Sequence, residues 1–92
     1  MSDILIAGCG RLGLRYLEGI IKIEEKLNIH IYDISRSAIL RAQKFISSKK
    51  EINHKFSYHL KTIDKKYFFS LIIISSTADT RKDILVYLSK KI

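Results

Sequence analysis

Apolar residues follow two different periods along this chain. Residues 4–7 and 71–74 are continuous apolar runs, typical of strands buried in a parallel sheet, and the first strand is predicted over residues 3–7. From residue 11 to about residue 26 the apolar positions recur at helical spacing instead, with charged residues on the opposite side. A second helical face follows, made of Ala38, Ile39, Ala42, Phe45 and Ile46. The pattern predicts strands that alternate with helices.

Two weaker patterns complete the predicted fold. Residues 29–32 form a second strand, entered by a turn at residues 27–28, and residues 56–60 alternate as in an edge strand with one wetter face. Ser35 or Ser37 is placed to cap the second helix, and a capping-box pattern at residues 80–83 begins a last one. The order β-α-β-α-β-turn-β-α predicts an α/β fold, a doubly wound parallel sheet that is Rossmann-like but truncated. Its predicted strand order is 3-2-1-4.

Three glycines directly after the first strand make the pattern G-x-G-x-x-G. Gly8 allows a sharp turn, Gly10 leaves the backbone bare for a pyrophosphate, and Gly13 allows close packing of the helix on the sheet. Phosphates would sit on the unpaired N–H groups that begin the helix. The turn therefore predicts a dinucleotide site.

An acid and a polar turn lie at the ends of two other predicted strands. Asp33, twenty residues beyond Gly13, is placed to bind a ribose 2′-hydroxyl, which favours NAD. Arg36 leaves NADP open, because its guanidinium could reach a 2′-phosphate or stack on adenine. The stretch 75–77 (Ser75, Ser76, Thr77) either lines the path to the nicotinamide ribose or simply ends the fourth strand.

Length and charge narrow the class of protein. The 92 residues suit one small domain, and the net charge is +8; lysine pairs are scattered along the chain without interleaved stacking aromatics. This distribution is typical of a solvated surface, so nucleic-acid binding is not favoured. The single cysteine, Cys9, excludes an internal disulfide and is interpreted as a small spacer in the glycine turn. With no signal peptide or membrane span in the sequence, a cytoplasmic location is predicted.

No residues of this chain are predicted to be catalytic or to bind metal. His30, His54 and His59 stand apart in the sequence and away from the predicted cofactor cleft. Neither a Ser-His-Asp set nor a cluster with metal-ligand spacing is recognisable.

Three segments together resemble one oxidoreductase family. Residues 4–13, the pair at 32–33 and the segment at 71–79 are similar to the N-terminal domain of Gfo/Idh/MocA-type oxidoreductases, NAD(P)-dependent enzymes that act mostly on sugars and cyclitols. The resemblance implies a set of residues that contact the cofactor: Gly8, Cys9, Gly10, Arg11, Leu12, Gly13, Asp33, Ser35, Arg36, Ser75, Ser76 and Thr77. The family often has a proline where this chain has Ala78.

The resemblance also implies an incomplete enzyme. The family's catalytic lysine lies in a Glu-Lys-Pro motif after the next strand, and this chain contains no proline. Residues 1–92 are thus expected to be a dinucleotide-binding portion that binds cofactor without turnover. The fourth strand would be an exposed apolar edge and promote self-association.

Two other functions use the same glycine turn and acid. One is an NAD-sensing regulatory module without catalysis. The other is a methyltransferase-like fold that uses S-adenosylmethionine, which the complete G-x-G-x-x-G spacing argues against.

Overall fold

The computed structural model describes residues 2–8, 10–49, 52–64 and 66–75. The elements are β1 (Ser2–Ala7), α1 (Arg11–Ile20), β2 (Leu27–Asp33), α2 (Arg36–Ser47), β3 (Lys55–Leu60) and β4 (Leu71–Ile74). The alternation predicted from the apolar pattern is confirmed. The predicted last helix lies outside the described residues, as do Cys9, Ser76 and Thr77.

The four strands form one parallel sheet in the order β3-β2-β1-β4. This confirms the predicted Rossmann-like α/β class and the 3-2-1-4 order. The order reverses between β1 and β4, because β2 and β3 are added on one side of β1 and β4 on the other. The carboxyl ends of β1, β2 and β4 therefore meet at one edge, where ligands bind in such sheets.

The two faces of the sheet are covered differently. On one face, β1 and β2 pack against both helices (Ile4, Ile6, Ile29 and Ile31 against Leu17, Ile20, Ala38, Ile39 and Ala42). The helices share this face because right-handed crossovers from β1 to β2 and from β2 to β3 step in the same direction. On the other face, Leu5, Ala7 and Tyr32 pack against Ile63 and Phe69 of the β3–β4 connection. Neither described helix has the length and apolar character needed to cross a bilayer.

Helix α1 ends earlier than predicted, and β2 begins earlier. The helix stops at Ile20 instead of near residue 26, and Leu27 already pairs with Ser2. His54 explains both differences: its Nε2 donates to the Ile21 carbonyl (3.2 Å), and its Nδ1 accepts the Leu27 amide (3.1 Å). One buried imidazole thus satisfies a helix end and a strand start, and these contacts come from a residue remote in sequence.

Candidate functional site

The turn between β1 and α1 is tight and needs glycine at two positions. Gly8 has a φ of 93°, a conformation that favours glycine, and its amide donates to the Tyr32 carbonyl (2.8 Å). A Cβ on Gly13 would overlap the carbonyl oxygen of Gly8. A Cβ on Gly10 would meet nothing within 4 Å, so the space beside the turn is open at that residue. The first helical turn thus lies against the backbone of the turn that precedes it.

The amino end of α1 is available to an anion. Gly10 is the N-cap residue, no side chain caps the helix, and no acidic residue lies in its first turn. Arg11 and Leu12, the first two helical residues, are exposed. The first amides of an α-helix have no partner within the helix and carry its partial positive charge. This end of α1 can therefore donate hydrogen bonds to a negatively charged group.

Asp33 ends β2 directly beside this turn, because the preceding residue, Tyr32, accepts the Gly8 amide. The Asp33 Oδ1 accepts a hydrogen bond from the amide of Ser35 (2.8 Å), which orients the carboxylate. Ser35 occupies the N-cap position of α2, but its hydroxyl bonds to that of Ser37 (2.9 Å). Of the two serines predicted to cap α2, Ser35 is thus the N-cap residue, but its hydroxyl makes no capping hydrogen bond to the helix. Arg36 begins α2 and is exposed.

Ser75 ties the end of β4 to the glycine turn. Its amide donates to the Ala7 carbonyl (2.9 Å), and its hydroxyl donates to the Gly8 carbonyl. The hydroxyl oxygen also lies 3.0 Å from the position that a Cβ on Gly13 would take. The structure thus brings together Gly8, Gly13 and Ser75 at the point where the strand order reverses.

Lys61 is a residue at this edge that sequence reasoning missed. It follows β3 with a φ of 67°, which is uncommon for a residue with a side chain. Its amide donates to the Asp33 carbonyl (2.9 Å), and its own carbonyl accepts the Tyr32 hydroxyl (2.8 Å). These two bonds hold the conformation and place Lys61 beside Asp33. A positive φ at lysine has no signal in the sequence.

Two of the histidines are not isolated, contrary to the prediction. His30 Nδ1 and His59 Nε2 lie 2.9 Å apart, and His30 Nε2 lies 3.1 Å from Asp3 Oδ1. Since a carboxylate only accepts, His30 carries its proton on Nε2, and a neutral His30 then accepts from His59. The face of β3 expected to be wetter is covered here, because Tyr67 packs edge-on against both rings and His59 is buried.

This chain of hydrogen bonds limits what the neighbouring serine can do. Ser57 pairs in register with His30, so serine, histidine and aspartate side chains share one face of three adjacent strands. A serine nucleophile needs a free histidine nitrogen as its base. Both nitrogens of His30 are engaged, so His30 does not activate Ser57 in this arrangement. Among the described residues, no three His, Cys, Asp or Glu side chains are grouped to hold a metal ion.

Comparisons with known proteins rest on one structural match. No protein-family model matches the chain, and no curated protein matches it either. The solved structure of PKMT2 from Rickettsia typhi in complex with AdoHcy is similar, with a TM-score of 0.66 and 22% sequence identity. The match covers 99% of this chain and 18% of the PKMT2 chain. At this level of identity the likeness establishes the fold.

The match overturns the predicted cofactor and family. The assignment to Gfo/Idh/MocA-type oxidoreductases is wrong, and so are the predicted NAD or NADP cofactor, the oxidoreductase function and the NAD-sensing alternative. The glycine spacing does not identify the cofactor, because Gly8 is required by its φ and Gly13 by the nearby Gly8 carbonyl. Both reasons are internal to the turn and hold for any ligand. An acid after β2 suits the ribose of any adenosine compound.

Proposed function

We propose that the edge formed by the carboxyl ends of β1, β2 and β4 binds the adenosyl group of S-adenosylmethionine and of AdoHcy, the compound left after methyl transfer. The chain would be the cofactor-binding part of a methyl-transferring protein. The observation that carries the proposal is the match over 99% of this chain to a protein bound to AdoHcy. Because the chain spans 18% of that protein's length, methyl transfer itself is proposed for a larger whole.

Asp33 and the start of α1 fit the two ends of this ligand. AdoHcy has a ribose diol, which donates hydrogen bonds, and a single carboxylate, which accepts them. The Asp33 carboxylate, oriented by the Ser35 amide, would accept from the diol. The first amides of α1 would donate to the ligand carboxylate, which the helix dipole favours. The open space at Gly10 would let the ligand approach the turn.

The other residues expected at this site have separate roles in the proposal. Ser75 would hold the turn in shape, since its hydroxyl is bonded to Gly8. Lys61 would border the ribose position beside Asp33. The assignments of Arg11, Leu12, Ser35 and Arg36 as ligand contacts stay predictions, as do those of Cys9, Ser76 and Thr77 outside the described residues.

Asp33→Asn is expected to weaken AdoHcy binding about 10- to 100-fold. The substitution puts a neutral amide in place of the charged carboxylate that would accept hydrogen bonds from the two ribose hydroxyls. The asparagine Oδ1 can still accept the Ser35 amide, so the β2–α2 turn should remain. Calorimetric titration of the wild-type and variant chains with AdoHcy measures the change. Glu18→Gln removes the same charge from an exposed position on α1 and should leave the affinity unchanged.

Two results would contradict the adenosyl proposal. One is a folded wild-type chain that binds no AdoHcy at millimolar concentration. The other is an equal loss of affinity in Asp33→Asn and Glu18→Gln, which would indicate a general charge effect.

Self-association through β4 is proposed as a further property. Within the part of the chain that the structure describes, β4 pairs with β1 alone, and Leu71 is 50% exposed. Unpaired strand edges readily pair with another chain, and a lysine on the edge opposes this. Light scattering is expected to show oligomers of the wild-type chain, and the substitution Leu71→Lys should dissociate them. Leu40→Lys, at a similarly exposed leucine on α2, should not. A monodisperse wild-type monomer would contradict the prediction.

A further inference from the structure

The amino ends of three strands present a row of complementary polar side chains. Asp3 on β1 pairs in register with Asn28 on β2, and Asn28 pairs with Lys55 on β3. The row therefore runs carboxylate, amide, ammonium across the sheet. It lies at the edge opposite to the glycine turn and Asp33, so it is separate from the proposed adenosyl site.

These three residues line a cleft large enough for a small molecule. Its volume is about 440 Å³, and His30, Phe56, Ser57 and Tyr67 complete its lining. Small-molecule sites typically measure about 300 to 1,000 Å³ and combine an apolar wall with a few directed polar groups. Here the ring of Tyr67 supplies the apolar wall, and the row supplies the polar groups.

The Asp3 carboxylate, at one end of the row, is held in place by a hydrogen bond. Asp3 Oδ1 accepts from His30 Nε2 (3.1 Å), and His30 is itself held by His59, so the carboxylate is oriented. The Asp3 side chain remains 39% exposed. The described part of the chain offers no other side-chain partner to Asp3, Asn28 or Lys55. Both charges and the amide between them are thus available to a ligand.

The spacing of the two charges favours a ligand with both signs of charge. Neighbouring strands lie about 4.8 Å apart, so the backbones at Asp3 and Lys55 are separated by roughly 10 Å. In the structure Asp3 and Lys55 form no ion pair with each other. A compact zwitterion would contact both, with its ammonium at Asp3 and its carboxylate at Lys55. A ligand with one charge would cover the opposite protein charge without contacting it, and that charge would lose part of its hydration for no gain.

We propose that this cleft binds a free α-amino acid. The ligand ammonium would donate to Asp3, and its carboxylate would accept from Lys55 and from the Asn28 amide. The ligand side chain would pack on Tyr67, which favours a medium-sized apolar residue.

The test uses L-leucine and two compounds that each carry half of its charges. 4-Methylpentanoate has the carboxylate alone, and 3-methylbutylamine has the ammonium alone. Titrations of the wild-type chain followed by two-dimensional amide NMR should show L-leucine binding with shifts centred on residues 3, 28 and 55. Each half-compound should bind at least about 10-fold more weakly, which corresponds to one lost charged contact.

Lys55→Gln is the decisive variant, because Lys55 is exposed and its replacement should not affect folding. We expect a loss of about 10-fold in L-leucine affinity, whereas Lys44→Gln, an exposed lysine on α2, should cause none. Asp3→Asn should weaken binding similarly, and if it fails to fold, Lys55→Gln still decides. AdoHcy affinity should be unchanged in Lys55→Gln, so this test and that of the adenosyl site fail independently.

Three outcomes overturn the amino-acid site. The first is that L-leucine at roughly 20-fold excess over about 1 mM protein shows no binding, which corresponds to an affinity weaker than millimolar. The second is that either half-compound binds as tightly as L-leucine. The third is that Lys55→Gln binds L-leucine as tightly as the wild type.

Discussion

Gly13→Ala is expected to destabilise the chain by about 3 kcal/mol, the upper part of the range for overpacking a tight site. The added Cβ would overlap the carbonyl oxygen of Gly8, and it would come within 3.0 Å of the Ser75 hydroxyl. The carbonyl belongs to a turn that is fixed by the positive φ of Gly8 and by its bond to Tyr32. Since a backbone atom cannot rotate aside, either α1 or the turn must shift. Urea denaturation followed by circular dichroism measures the loss.

Gly19→Ala is the matched control for this prediction. It makes the same substitution on the same helix, at an exposed position where a Cβ meets nothing within 4 Å. Alanine should stabilise α1 there by roughly 0.5 to 1 kcal/mol, through its higher helix propensity. The two variants are therefore expected to shift the urea midpoint in opposite directions. Equal shifts would mean that Gly13 does not lie against the Gly8 carbonyl.

Most of the fold could be predicted because local patterns and a handedness rule determine it. The runs at residues 4–7 and 71–74 are apolar on both faces, and both lie in the sheet. Right-handed crossovers then allow few orders for four parallel strands, and 3-2-1-4 is the one observed. The end of α1 could not be predicted in this way. His54, more than thirty residues away, accepts the Leu27 amide and donates to Ile21, and no local pattern reports such a contact.

The candidate site could be located from the sequence, but its ligand could not. Gly8, Gly13 and Asp33 are recognisable because backbone geometry and strand ends demand particular residue types. What they bind depends on groups that the motif does not contain. A pyrophosphate and an amino-acid carboxylate both suit the start of a helix, and both cofactors offer a ribose to an acid. The spacing of the glycines is therefore not specific for dinucleotides.

The contact between His30 and His59 could not be predicted from the sequence either. His30 and His59 are 29 residues apart and have no shared motif, so the sequence indicates no contact between them. Parallel pairing of β2 with β3 places His59 beside Tyr32, one diagonal step from His30 on the same face. Only the register makes them partners. The sequence shows both residues but not that one hydrogen bond joins them.

The bond between His30 and His59 is expected to make their replacements strongly non-additive. His30→Leu should lower the free energy of unfolding by about 3 kcal/mol, because it removes the buried hydrogen bond to His59 and the one to Asp3. His59→Leu should cost about 2 kcal/mol, because the His30 Nδ1 acceptor then has no donor among these side chains. The loss of unfolding free energy in the double variant should be about 1 to 2 kcal/mol smaller than the sum of the two single losses. In the double variant both partners of the hydrogen bond are absent, so neither ring remains without the other.

Urea denaturation of the wild type, the two single variants and the double variant measures this coupling. Any other contact of His59 is lost both in its single variant and in the double variant, so it cancels in the cycle. Strictly additive costs would mean that the two rings do not share a hydrogen bond. A clear coupling would show that the face of β3 expected to be wet is instead closed by a buried polar pair. Because Asp3 is oriented by the same His30, the pair would then also support the carboxylate in the cleft lined by Asp3, Asn28 and Lys55.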